Sequence, residues 1–199
     1  NCVILPNING RGYGFFKITE GESSGLWSVL RSSEDEVVKG SLLITLYENL
    51  RWKTISPQGF REEMLAYLPN ESNSLLFSMA LSYLGDCQRI FPSDSCPLEE
   101  ALWKIVTTNP VSQHRLQAFR LYRSIADSEE AVQRLYTLWQ ERKAPKDCTL
   151  SESDYIGLSY MLAMHLPEKA DKIIATQLSR IQNPDRKKEY QFISPSVSP

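Results

Sequence analysis

Apolar residues recur every three to four positions along most of this chain, the spacing of one face of an amphipathic helix. The clearest stripe is Val38, Leu42, Leu46 and Leu50. Ser33-Glu-Asp-Glu36 precedes it and reads as a capping box, the serine oxygen taking an amide three residues on and Glu36 reaching back. Ser56-Pro57 starts the next helix with a cap and a proline at the first helical position. Phe60, Met64, Tyr67 and Leu68 give that helix its apolar face, and Pro69-Asn70 ends it. Leu75–Leu84 is a further helix, stopped by Gly85. Pro97–Val106 and His114–Ala126 follow, then a helix opened by a second box, Asp127-Ser-Glu-Glu130. Ser151-Glu-Ser-Asp154 caps Tyr155–His165, and Pro167 opens the last clear helix, which Asn183-Pro184 breaks. About nine or ten helices with short connections predict antiparallel neighbours, stacked as hairpins that repeat every ~35 to 45 residues.

The front of the chain departs from this period. Gly10, Gly12 and Gly14 alternate within Asn7–Ile18 and favour a turn or bulge. Phe15, Phe16 and Ile18 then read as a short apolar strand, with Val3, Ile4 and Leu5 as an antiparallel partner. A lone hairpin is marginally stable in water, so the stretch reads as the edge of a larger sheet. Glu20–Gly25 reads as a polar turn, and Leu26, Trp27, Val29 and Leu30 begin a first short helix. The fold class is therefore mainly α: an irregular α–α superhelix of antiparallel helical hairpins, preceded by a short β-hairpin remnant.

Composition changes this picture little. The 199 residues suffice for a sizeable core, and 42% hydrophobic with 23% charged residues is ordinary globular usage. A net charge of -2 and a pI near 5.8 give no electrostatic reason to expect nucleic acid or an anionic membrane. No apolar run reaches the ~18 residues that a membrane-spanning helix needs. Four cysteines, Cys2, Cys87, Cys96 and Cys148, are too scattered for a disulfide scaffold. Cys87 and Cys96 flank a turn-rich loop and read either as a small disulfide in an oxidising compartment or as two unpaired thiols.

Candidate chemistry is sparse. His114 and His165 have no partner at ligand spacing, and no His-Glu-x-x-His places two imidazoles on one helical face. Serine elbows of the Gly-x-Ser-x-Gly type are absent, and Gly-Arg-Gly-Tyr-Gly lacks the Gly-Lys-Ser/Thr ending of a phosphate loop. The acidic pairs Glu62-Glu63, Glu99-Glu100 and Glu129-Glu130 sit in helical first turns, where negative charge complements the dipole. Trp27, Trp52, Trp103, Trp139, Tyr122 and Tyr136 fall at helical spacing among leucines and read as core before ligand stack. Lys169, Lys172, Arg180 and Arg186-Lys-Lys188 place basic charge in the last third, as a solvated face or as a groove for peptide carboxylates. The sequence assigns no catalytic, metal or cofactor-binding residue.

Three stretches carry a resemblance: Leu5-Pro-Asn-Ile-Asn-Gly-Arg-Gly-Tyr-Gly-Phe-Phe-Lys17, Tyr67-Leu-Pro-Asn-Glu-Ser-Asn-Ser-Leu-Leu-Phe-Ser78 and Arg180–Pro195. Asn183-Pro-Asp-Arg186 and Phe192-Ile-Ser-Pro195 are the most specific parts, while Gly14 stands where the family has a second tyrosine. Together they resemble the region C-terminal to the catalytic domain in bacterial zinc aminopeptidases of the alanyl (aminopeptidase N-like) gluzincin family. The resemblance implies that residues 1–20 end a β-sandwich and that 21–199 form a helical superhelix truncated at its C-terminus. It implies a non-catalytic region that encloses the peptide cavity of a parent enzyme, with that enzyme's catalytic domain as partner and zinc held upstream. Periplasm or cell envelope and cytoplasm all stay open as the parent's compartment. The other reading is an α-solenoid that binds a protein or peptide, with no catalytic role.

Overall fold

In the computed structural model, which describes residues 3–8, 11–12 and 14–197, the regular structure is helical, and among these residues there is no strand. The chain divides into two compact units, Asn1–Ser93 and Asp94–Pro199. The first holds α1 (Glu20–Ser32), α2 (Glu36–Arg51), α3 (Pro57–Tyr67) and α4 (Ser74–Ile90). The second holds α5 (Cys96–Thr108), α6 (Ser112–Ile125), α7 (Glu129–Glu141), α8 (Glu152–His165), α9 (Ala170–Arg180) and α10 (Pro184–Ile193).

Within each unit the helices stack as hairpins, and side-chain contacts also link each helix to the one two places later or to the residues just before it. In the first unit, Arg31 of α1 pairs with Glu63 of α3, and Trp27 packs edge-on against Phe60 at 5.6 Å. Lys39 of α2 reaches Glu71 at 3.0 Å just before α4, and further along Tyr47 stacks flat on Tyr83 at 4.0 Å. In the second unit Glu99 of α5 meets Ser128 before α7, and Arg120 of α6 meets Asp154 of α8. Trp139 of α7 meets Gln177 of α9, and Ser159 of α8 meets Tyr190 of α10. These hydrogen-bonded partners lie 29 to 38 residues apart, which is the length of one helical hairpin with its loops. The core follows the apolar stripes: Leu42, Leu46 and Leu50 with Phe60, Met64 and Phe77 in the first unit, and Leu102, Phe119, Leu135 and Leu158 in the second.

The expected β-hairpin does not form among the described residues; Asn9, Gly10 and Tyr13 of its turn lie outside them. Two asparagine carboxamides take backbone groups that a strand partner would otherwise satisfy. Asn49, wholly buried on α2, donates to the Phe16 carbonyl and accepts from the Ile18 amide, both at 2.9 Å. Asn7 pairs with both the amide and the carbonyl of Gly12, at 2.6 and 3.1 Å. A Cβ on Gly12 would lie 2.7 Å from the tip of the Phe16 ring and 2.9 Å from Asn7 Oδ1, so one of these side chains would have to shift.

Several boundaries also shift. Glu20–Gly25 is helix, not turn: Thr19 and Glu22 form a capping box that outweighs two glycines, and Ser23 is buried. Asp35, not Ser33, caps α2, its carboxylate accepting from the amides of Val37 and Val38. Ser128, not Asp127, caps α7. Helix α4 runs through Gly85 to Ile90, because buried Leu81, Leu84 and Cys87 outweigh the ~1 kcal/mol propensity cost of one glycine. α9 does end, at Arg180, before Asn183-Pro184, but the same pair also starts a further helix: Asn183 accepts from the amides of Asp185 and Arg186, and Pro184 occupies the first turn of α10. The cap and proline read at Ser56-Pro57 and the cap read at Ser151–Asp154 are where the sequence puts them.

Candidate functional site

Acidic residues adjacent in sequence are about 100° apart around a helix, so each Glu-Glu pair splits between two environments. Glu99 is buried and accepts the amides of Asp127 and Ser128 at 2.8 and 3.1 Å and the Ser128 hydroxyl, while Glu100 faces solvent. Glu63 pairs with Arg31, and Glu62 accepts from Gln58 at 2.9 Å. Glu130 pairs with Arg134 at 2.5 Å, one turn along the same helix, and Glu129 is exposed. Glu129 and Glu130 both line one open surface hollow, with Gln133, Thr137 and Arg134, the ion-pair partner of Glu130.

The most constrained charge is Asp154. Its carboxylate caps its own helix through Ser151 and accepts a two-pronged contact from Arg120, Nε at 2.9 Å and Nη2 at 3.2 Å. Burial pushes its pKa up, but the bonds from Arg120 and Ser151 outweigh burial and hold it at about 2. Burial likewise pushes the carboxyls of Glu71 and Glu99 up, and the hydrogen bonds they accept outweigh it and hold both below the usual carboxylate range. Glu71 accepts from Tyr67, from the Asn73 amide and from Lys39, so it ties α2, α3 and α4 together. Burial and the Asp86 carboxylate push Tyr47 up to about 12.

His114 is wholly buried in α6. His165 bonds through Nδ1 to the Met161 carbonyl at 2.9 Å and places Nε2 3.5 Å from Asp127. Among the described residues no group of three His, Cys, Asp or Glu side chains converges as metal ligands. Cys87, Cys96 and Cys148 are free thiols. Cys87 is buried, facing Arg61 at 3.5 Å, where burial pushes its pKa up. Cys2 lies outside the described residues.

The basic residues of the last third do not form one groove. Arg180 donates to the Trp139 and Gln140 carbonyls at 3.0 and 3.2 Å and covers the Trp139 ring, closing the end of α7. Lys169 lies 5.0 Å over Tyr136, and Arg186 pairs with Glu152 at 3.2 Å. Lys172, Lys187 and Lys188 are exposed.

One surface in the first unit was missed by the sequence reading. Trp52, expected in the core, is 67% exposed, and its ring leans on that of Phe15, 44% exposed, at 5.6 Å. The signal was present: Trp52 falls off the Leu42–Leu46–Leu50 stripe, between Arg51 and Lys53, just beyond the end of α2. Close by in the chain, a groove of about 490 Å³ is lined by Val3, Ile4 and Pro6, by Lys17 and Ile18, and by Gly25 and Leu26 of α1. No described helix is long and apolar enough to cross a membrane. Comparison with known proteins gives no match: no family model, no curated protein and no solved structure is similar to this chain.

Proposed function

We propose that this chain is a non-catalytic helical region of a zinc-dependent aminopeptidase, enclosing the cavity in which the parent enzyme removes N-terminal residues from peptides. The observation that carries the reading is the use made of polar residues. Asp154, Glu99, Glu71, Arg120 and Arg180 are engaged in joining successive hairpins and helix ends. Such a body contributes shape: it restricts access to a reacting centre and excludes water from it. The motif stretches add specificity. Asn183-Pro-Asp-Arg186 forms the start of α10, and Tyr190 behind it fastens that helix to α8.

A second reading, a free-standing scaffold for a protein or peptide partner, is favoured by the exposed Phe15–Trp52 pair. The purified chain tests the non-catalytic claim. It is expected to release no p-nitroaniline from alanyl or leucyl p-nitroanilide and to retain no stoichiometric zinc after dialysis. Hydrolysis that is zinc-dependent and abolished by a chelator would overturn it.

A further inference from the structure

We propose that the outer face of α2 and α4 is where two copies of this chain meet, each helix against its own counterpart and running in the opposite direction. Lys39 reaches Glu71, Gly40 faces Leu76 and Met79, and Tyr47 stacks on Tyr83, so α2 and α4 lie side by side and parallel. Val37 and Ile44, two turns apart on α2, and Leu75 and Ile90 on α4 are 48 to 76% exposed on the side turned away from the core. Half-buried Met79 and the two tyrosine rings lie between them, and the Tyr47 hydroxyl donates inward to Asp86 at 2.8 Å. The four side chains therefore belong to one apolar patch and are not scattered surface residues.

The charges at its two ends select the occupant. Exposed Glu34 and Glu36 stand at the N-terminal end of α2, and exposed Arg51 and Lys53 at its C-terminal end. Arg51 lies 3.6 Å from Glu48 of its own helix, and Arg89 pairs with Asp86 at 2.7 Å, which leaves Lys53 as the surplus cation there. Two copies packed face to face are related by a two-fold axis lying in the plane of contact. An axis along the helices would bring acidic end to acidic end and basic end to basic end. An axis across them sets each acidic end on the other copy's basic end, twice over, with the helix dipoles antiparallel. The apolar residues follow the same symmetry. Ile44 is midway between Val37 and Arg51, and Ser82 is near midway between Leu75 and Ile90, so the axis crosses α2 at Ile44 and α4 at Ser82. Ile44 then meets its own copy, Leu75 meets Ile90, and the two exposed Ser82 hydroxyls can bond each other. The inference stands apart from the aminopeptidase reading, and either can fail without the other.

Sedimentation equilibrium of the purified chain over a concentration series tests it. A mass rising to about twice the 22.8 kDa of one chain is expected, with Kd on the order of 10 μM. Ile44→Glu sets two carboxylates against each other at the axis and should leave a monomer throughout, with helical circular dichroism retained. Glu34→Lys with Glu36→Lys makes both ends of the face basic, and Arg51→Glu with Lys53→Glu makes both ends acidic. Each double variant alone should dimerise at least about tenfold more weakly. An equimolar mixture of the two should recover the dimer, which damage to the fold could not produce. A monomer at every concentration, a dimer that Ile44→Glu leaves intact, or reversed-charge variants that do not associate with each other would overturn the proposal.

Discussion

The carboxamide of Asn49 is the polar group on which the first unit's N-terminal segment depends. It is wholly buried and also donates to the Thr45 carbonyl and accepts from Thr54 at 2.6 Å. Asn49→Ala would strand the Phe16 carbonyl and the Ile18 amide, each costing about 1–3 kcal/mol when desolvated and unpaired. We expect a loss of at least ~2 kcal/mol in urea unfolding, with faster amide exchange at Ile18. Asp154 gives a pH signature. Its pKa is lower in the folded chain than in the unfolded one, so its stabilisation is complete above the ordinary carboxyl range. It is lost as pH falls from about 4 towards 2. Asp154→Asn should lower the melting temperature at pH 7 and flatten its decline across that window; an unchanged acid limb would show that Arg120 and Ser151 do not hold the charged form. The two histidines separate as well: His165→Ala should change the melting temperature little, whereas His114→Ala removes a wholly buried ring and should lower it by several degrees.

At the scale of elements, α10 is the most lightly held helix. Tyr190 is its one wholly buried side chain, stacked on Tyr160 at 4.9 Å with its hydroxyl 2.9 Å from that of Ser159. Tyr190→Ala should release α10 before the rest of the second unit unfolds. Limited trypsin digestion would then cut after Lys187 or Lys188 in the variant and not in the parent chain. Helix existence was legible because apolar periodicity reports burial directly, and Leu42, Leu46 and Leu50 line the core they predict. Helix ends were less legible because the deciding contacts are local side-chain bonds among neighbouring candidates: Asp35 over Ser33, Ser128 over Asp127. Asn183-Pro184 has the same cap-proline form as Ser56-Pro57, and only its position after a long helix made it read as a stop. The absent hairpin is a different case. Its apolar alternation is real, but the partner is a side chain 31 residues away, which no strand pattern encodes.

For the molecule as a whole, the buried charges Glu71, Glu99 and Asp154 serve the stacking of hairpins. The missed surface is the place where a side chain leaves the apolar stripe. Trp52 shows how a residue that composition assigns to a core becomes an exposed anchor once its helix ends one position earlier. We propose that this helical body belongs to a zinc aminopeptidase and adds shape, not chemistry, and the natural reading frame upstream of the codon for Asn1 decides it. A Gly-x-Met-Glu-Asn stretch, then His-Glu-x-x-His and a distal glutamate, are expected in the same frame. A start codon with none of these before Asn1 would contradict it and leave the free-standing scaffold as the working description.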